Sequence, residues 1–173
     1  MMSGSIEERH FIEDIGLYFE HLGMPRMAGR VLGILLISDP PAQSINDLCQ
    51  VLLASKGSIS MTTRLLAEAG LIEKVPAPMP RRDYYRFKPG GWTHFLRQRT
   101  ELMSALHQIA ERGLELIKDK DASLKQRLLE AHDIFSFIEE MLPEIQLRWQ
   151  AHKQKLQSAR AKEEQIKNGR ALQ

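Results

Sequence analysis

The segment Ser55–Val75, SKGSISMTTRLLAEAGLIEKV, decides how this chain is read. It sets hydroxyl residues, a glycine and two bases, Lys56 and Arg64, around a short apolar face, and withholds a carboxylate until Glu68. Ser55 is the expected N-cap, with Ser58 the alternative, because a serine oxygen there can accept from a free first-turn N–H. Ile59, Thr62, Thr63, Leu66 and Ala69 recur at helical spacing and form the inward stripe. Gly70 then supplies a left-handed stop, and LIEKV reads as a strand. A core helix has little need of so polar a start. A helix that lies against a polyanion can use it.

Working outward, Ser44 with Asp47 three residues on reads as an N-cap with an acidic partner, opening a helix over Ile45–Leu53 that ends in a tight turn near Leu53-Ala54. Before it, SDPPAQS is a rigid polar break. Pro25 suits the start of an apolar helix over Arg26–Ile37, expected to be buried. A first helix runs from Ser5 to Gly23, with Phe11, Ile12, Ile15, Tyr18, Phe19 and Leu22 at helical spacing. After the central helix, strands are expected over Leu71–Val75 and Arg82–Phe87, joined by the proline-rich PAPMPR. Alternation turns Tyr85 and Phe87 inward and Tyr84 and Arg86 outward. Helices followed by such a hairpin define a winged helix-turn-helix with a two-strand wing, assigned to residues 1–90 together with the N-terminal helix.

Past Pro89-Gly90-Gly91 the pattern becomes long helix, over Trp92–Ile117 and from Ala122 onward. In the second, Leu124, Leu128, Ala131, Phe135, Ile138, Leu142, Ile145, Trp149, His152 and Leu156 alternate in steps of four and three, as helices that pair do. Residues 91–173 are therefore assigned as a helical dimerisation region with a basic tail. Pro143 is expected to kink that helix or begin a new one, and the polar end from Ala161 is expected to fray. There is no internal repeat or low-complexity segment.

The net charge of +2 hides an uneven distribution. Residues 54–90 carry seven bases against three acids and 148–173 carry seven against two, within an otherwise acidic chain. A basic block on a helix-turn-helix is an electrostatic footprint for phosphate. Lys56, Ser58, Ser60, Met61 and Arg64 fall away from the apolar stripe. Free N–H groups and hydroxyls at a helix start suit phosphate oxygens, and Gly57 permits close backbone approach. Arg64 has the reach for a guanine edge or a phosphate, and Met61 suits a thymine methyl. At the wing, Arg81 and Arg82 are placed for a narrow minor groove beside Tyr84, with Asp83 able to pair with either arginine. The candidate DNA-binding set is Ser55, Lys56, Gly57, Ser58, Ser60, Met61, Arg64, Arg81, Arg82 and Tyr84.

Other chemistries find no support. His10, His21, His94, His107, His132 and His152 show no ligand spacing such as two histidines four apart, so no metal is expected. There is no phosphate-binding glycine loop or nucleophile elbow, and neither an enzyme nor a cofactor is expected. The single cysteine, Cys49, excludes an internal disulfide and sits beside Leu48 and Leu52 as a small core hydrophobe. Tyr18, Phe19 and Trp92 are assigned to the core in preference to an aromatic ligand cage. No apolar run approaches the roughly 20 residues that span a bilayer, and the acidic start MMSGSIEERH does not suit a signal peptide. A soluble cytoplasmic protein is expected.

The motifs PRMAGRVLGILLISDPPAQS, DLCQVLLASKGSISMTTRLLAEAGLIEKV and PRRDYYRF occur in order within residues 6–92. Together they resemble the GbsR-type branch of the MarR-like winged helix-turn-helix transcriptional regulators. The resemblance implies a homodimer that binds double-stranded operator DNA and responds to a small-molecule effector, as some relatives do to choline-like compounds. The competing reading is a winged-helix protein-interaction module whose basic face meets an acidic partner.

Overall fold

The computed structural model describes residues 5–76 and 83–170, the side chains of 164–170 excepted. Helix α1 spans Ile6–His21, where Ser5 and Glu8 form a reciprocal capping box: Ser5 Oγ accepts from the Glu8 N–H, and the Glu8 carboxylate accepts from the Ser5 N–H. Helix α2 spans Arg26–Ile37 with Pro25 at its N-cap, and is the central, most buried element. Helix α3 spans Ile45–Leu52 and α4 spans Lys56–Glu68. Strands β2 (Ile72–Val75) and β3 (Tyr84–Phe87) form the expected hairpin. A two-residue strand, β1 (Gln43–Ser44), was not expected; it joins β3 on its other side, giving a three-stranded antiparallel sheet in the order β1-β3-β2.

The packing of α2 on α1 depends on glycine. A Cβ added to Gly29 would fall on the Ile15 carbonyl oxygen and lie 2.7 Å from the Gly16 Cα. At Gly33 it would come within 3.1 Å of the Ile12 Cα. Backbones this close leave no room for a side chain. Beside the crossing, Glu13 binds Arg30 at 2.5 Å and Arg26 at 2.9 Å. The Arg30 hydrogen bond is the main reason that the Glu13 carboxyl lies below the usual carboxylate range; burial opposes the shift and Arg26 adds to it.

The core that α2 organises includes Phe19, Leu32, Ile34, Leu48, Ile59 and Leu66, all fully buried. Cys49 and Leu52 pack against it, as expected for core positions. Of the three aromatics assigned to the core only Phe19 is fully buried: it stacks on Phe95 (centroids 6.1 Å apart), which meets Trp92 edge-on at 6.4 Å, while Trp92 and Tyr18 are both exposed.

Helix α5 spans Gly91–Leu116 and α6 spans Ala122–Arg170. The chain forms two compact units, residues 1–98 and 99–173. In the second, the turn at 117–121 is short, and Gly113 on α5 sits against Leu128 on α6, where an added Cβ would meet Leu128 Cδ1 at 2.9 Å. Pro143 does not begin a new helix: α6 runs on through it, without the one N–H that would have bonded the Glu139 carbonyl. The helical span extends past Ala161 to Arg170. The apolar seam of α6 is half-buried from Leu128 to Leu142, whereas Leu124, Ile145 and Trp149 are exposed in the single chain.

Gly29→Ala places a methyl group into backbone, so it should destabilise the protein by about 1–3 kcal/mol despite alanine's better helix propensity. Urea unfolding of the variant measures this; equal or higher stability would mean that the helices do not approach so closely. Glu13→Gln should cost no more than about 1 kcal/mol at neutral pH, because the carboxylate is partly solvated. A depressed carboxyl pKa stabilises the fold above the unfolded value, and the contribution is lost as pH falls through the folded value. The difference between the two proteins should therefore shrink as pH falls from the ordinary carboxylate range and vanish below the folded value; a difference that does not shrink on acidification would remove the ion pair as its cause.

Candidate nucleic-acid interface

Helices α3 and α4 form the helix-turn-helix, and local chemistry fixes both starts. Ser44 accepts from the Asp47 N–H at 3.2 Å while Asp47 accepts from the Ser44 N–H at 2.9 Å, closing a capping box. The turn is made by Leu53 in the left-handed region (φ 50°). That conformation is costly for a residue with a Cβ, and it turns Leu53 outward until 93% of its surface is exposed. The turn near Leu53-Ala54 was legible in the sequence, but the outward exposure of Leu53 was not, since VLLA reads as a continuous apolar run. Ser55 is the N-cap of α4, and its Oγ accepts from the Ser58 N–H at 3.2 Å.

The expected inward stripe of α4 is found, with Ile59, Thr62, Thr63 and Leu66 buried and Ala69 half-buried. Lys56, Gly57, Met61 and Arg64 are exposed, and Ser58 and Ser60 are half-buried at the flanks. At 68% exposure Met61 is an uncovered apolar side chain in the middle of that face. The Ser58 N–H is taken by the cap, so Lys56 and Gly57 offer the free first-turn donors, at the positive end of the helix dipole. Among the described residues neither Lys56 nor Arg64 makes an ion pair. Arg64 lies about 12 Å along the axis from Lys56. Glu68 follows one turn beyond Arg64 on the same exposed side. The end of the helix is held by Gly70 (φ 68°), where a Cβ would also collide with the His94 ring.

The wing differs from expectation in its charges. Arg81 and Arg82 lie outside the described residues. Asp83, placed by sequence beside those arginines, pairs with Lys74 of the neighbouring strand at 2.7 Å and holds that ammonium above the usual lysine range. Arg86 points outward but is bound at 2.7 Å to Glu73, its register partner on β2. Tyr85 and Phe87 pack on the core as alternation required. Tyr84, expected outward, is half-buried between Ser44 and Val75.

A family model described as MarR family matches residues 22–83, and one described as MmpR5-like MarR family transcriptional regulator matches residues 90–152. The HTH-type transcriptional regulator MmpR5 of Mycobacterium tuberculosis is 36% identical over 132 residues, which are 76% of this chain and 80% of that protein. The putative HTH-type transcriptional regulator YvaV of Bacillus subtilis is 33% identical over 89 residues, 51% of this chain and 50% of its own length. A solved structure described as a transcriptional regulator superposes with a TM-score of 0.71 at 34% identity, covering 83% of this chain and 97% of the other.

Removing the cap tests the start of α4 directly. Ser55→Ala should lower stability by about 1 kcal/mol and speed hydrogen exchange at the Ser58 amide more than at Leu66. Uniform exchange along the helix, with no loss of stability, would show that the cap does not hold this end.

Proposed function

This chain belongs to the MarR family of transcriptional regulators, and from that premise we propose that it binds its operator as a homodimer, with α4 in the major groove. The observation that carries the reading is the two-faced character of α4. Its buried stripe leaves Lys56, Gly57, Met61 and Arg64 projecting from a rigid support with no competing ion pair on the two bases among the described residues. Backbone N–H groups of Lys56 and Gly57 and the hydroxyl groups of Ser55, Ser58 and Ser60 would hold phosphates and set the register. Met61 and Arg64 would meet base edges. The wing would add Arg81, Arg82 and Tyr84 at the flanking minor groove. Arg86 is assigned a structural part because Glu73 already neutralises it.

Residues 1–90 would be the DNA-binding part and 91–173 the dimerisation part. Support for the dimer comes from large apolar side chains at helical spacing that the single chain leaves exposed: Leu102, Leu106 and Ile109 on α5, and Ile134, Phe137 and Met141 on α6. A twofold dimer reads a pseudo-palindromic site, with half-sites about 34 Å or a multiple of it apart. A small-molecule effector would act by favouring one spacing of the two α4 helices over another. Within the family, the motifs in residues 6–92 support a GbsR-type placement, while the model matched in residues 90–152 is described as MmpR5-like. The protein is read as a non-enzymatic regulator of the cytoplasm. Among the described residues no helix is long and apolar enough to cross a membrane.

Binding to the protein's own upstream DNA, measured against random DNA across a salt series, tests the arrangement. Arg64→Ala should cost about 1–3 kcal/mol on the operator and less on random DNA. Arg81→Ala with Arg82→Ala should weaken both and lower the log–log salt slope by roughly 0.9 for each phosphate that is no longer neutralised. Light scattering on the same samples should find a dimer. A micromolar monomer that stays monomeric on DNA, or variants that bind as the parent does, would favour a module that meets an acidic protein partner.

A further inference from the structure

Helices α5 and α6 bring together imidazole and carboxylate groups that lie far apart along the chain. His107 stands one turn before Glu111 on α5, and His132 stands two turns before Glu139 on α6. His107 Nδ1 lies 2.6 Å from Glu139 Oε2. A carboxylate at that distance draws the proton to Nδ1 and leaves the ring's lone pair on Nε2. That Nε2 is shut away from solvent and has no hydrogen-bond partner. Its near neighbour is Glu111 Oε1, at 4.0 Å. The His132 ring stands 5.0 Å from that of His107, and its own Nδ1 lies 3.1 Å from Asp133 Oδ1, so its Nε2 is available in the same way. One donor atom from each of His107, Glu111 and His132 lies within 4.8 Å of the other two.

We propose that His107, Glu111 and His132 form a binding site for a divalent transition-metal ion of the zinc class, with Glu139 orienting His107 from behind. Two neutral imidazoles and one carboxylate suit such an ion, whereas magnesium and calcium select oxygen ligands. The carboxylate on the far side of His107 is the arrangement that fixes a metal-binding tautomer and the orientation of the ring. With bonds of about 2.0–2.1 Å in a tetrahedral shell, donor atoms sit roughly 3.3 Å apart, so the three groups must close by at most about 1.5 Å. Glu111, with 56% of its side chain exposed, has the rotamer freedom to make that movement. Three protein ligands leave a fourth position for water. The unpartnered Nε2 then has a use: it is a buried lone pair waiting for a Lewis acid. Without a metal, a polar atom in that position is costly.

The competing arrangement is a protonated His107 held between Glu139 and Glu111 with no metal. Cobalt and zinc binding by the tag-free full chain, stripped with a chelator, separates the two. One cobalt ion per chain should bind with the visible absorption of a low-symmetry nitrogen–oxygen site, and one equivalent of zinc should displace it. Glu139→Gln should weaken zinc binding roughly 10–100-fold. His107→Gln and His132→Gln should each weaken it further, with helical circular dichroism unchanged. If His107→Gln unfolds, the partly exposed His132 supplies the same test. Cobalt bound equally by the parent and the His132→Gln protein, or no stoichiometric binding at micromolar concentrations, would overturn the site. The measurement needs no DNA, so its failure would leave the operator-binding reading untouched, and the reverse also holds.

Discussion

The close approach of α2 to α1 at Gly29 is the contact from which the first unit of the fold is built. With no side chain between the two backbones, α2 can sink until it is buried on nearly every side, and its apolar residues are then shared among its neighbours. Leu32 and Ile34 are fully buried in the same core as Leu48 of α3 and Ile59 and Leu66 of α4. A bulkier residue at 29 would lift α2 away and loosen the seat of both helices of the helix-turn-helix. Because close-packed interiors transmit displacement instead of absorbing it, a shift of α2 would carry through this shared core to α4.

Caps carry the next level of organisation. Ser5, Ser44 and Ser55 each accept from an N–H in the first turn of their helix, and Gly70 closes α4 with a left-handed residue. Each device acts over three or four residues, which is why these boundaries were legible in the sequence. The amphipathic stripe of α4 was legible for the same reason, since its period is local. The family likeness added the expectation of operator binding, and membership in the MarR family agrees with it.

What escaped sequence reasoning depends on partners distant in the chain. Strand β1 has only two residues, and nothing in Gln43-Ser44 marks a strand; it exists because β3 offers Tyr84 and Tyr85 for pairing. The pairing of Asp83 with Lys74, and of Arg86 with Glu73, follows from hairpin register, which the proline-rich connection concealed. Pro143 carries a strong local signal for a break, yet α6 continues, because one missing hydrogen bond in a long helix can be tolerated when its neighbours are intact. The approach of His107 to His132 had no sequence signal at all. Residues 25 positions apart meet only because two helices fold back on each other across a short turn. The outward Leu53 was hidden by the apolar residues around it.

Ser44 holds two structural offices at once. As the last residue of β1 it pairs with Tyr84 of β3, and as the N-cap of α3 it opens the helix-turn-helix. There is no spacer between sheet and helix at this point. The segment is therefore unequal in its tolerance of changes in length. An extra residue between Ser38 and Gln43 lengthens a loop and leaves both offices filled, at a small cost in loop entropy. An extra residue between Ser44 and Ile45 separates them: either the serine keeps its place in the sheet and α3 loses its cap, or it keeps the cap and the strand slips by one, exchanging the faces of its side chains. Length variation among proteins built on this plan should gather on the proline-rich side of Gln43 and stop abruptly at Ser44.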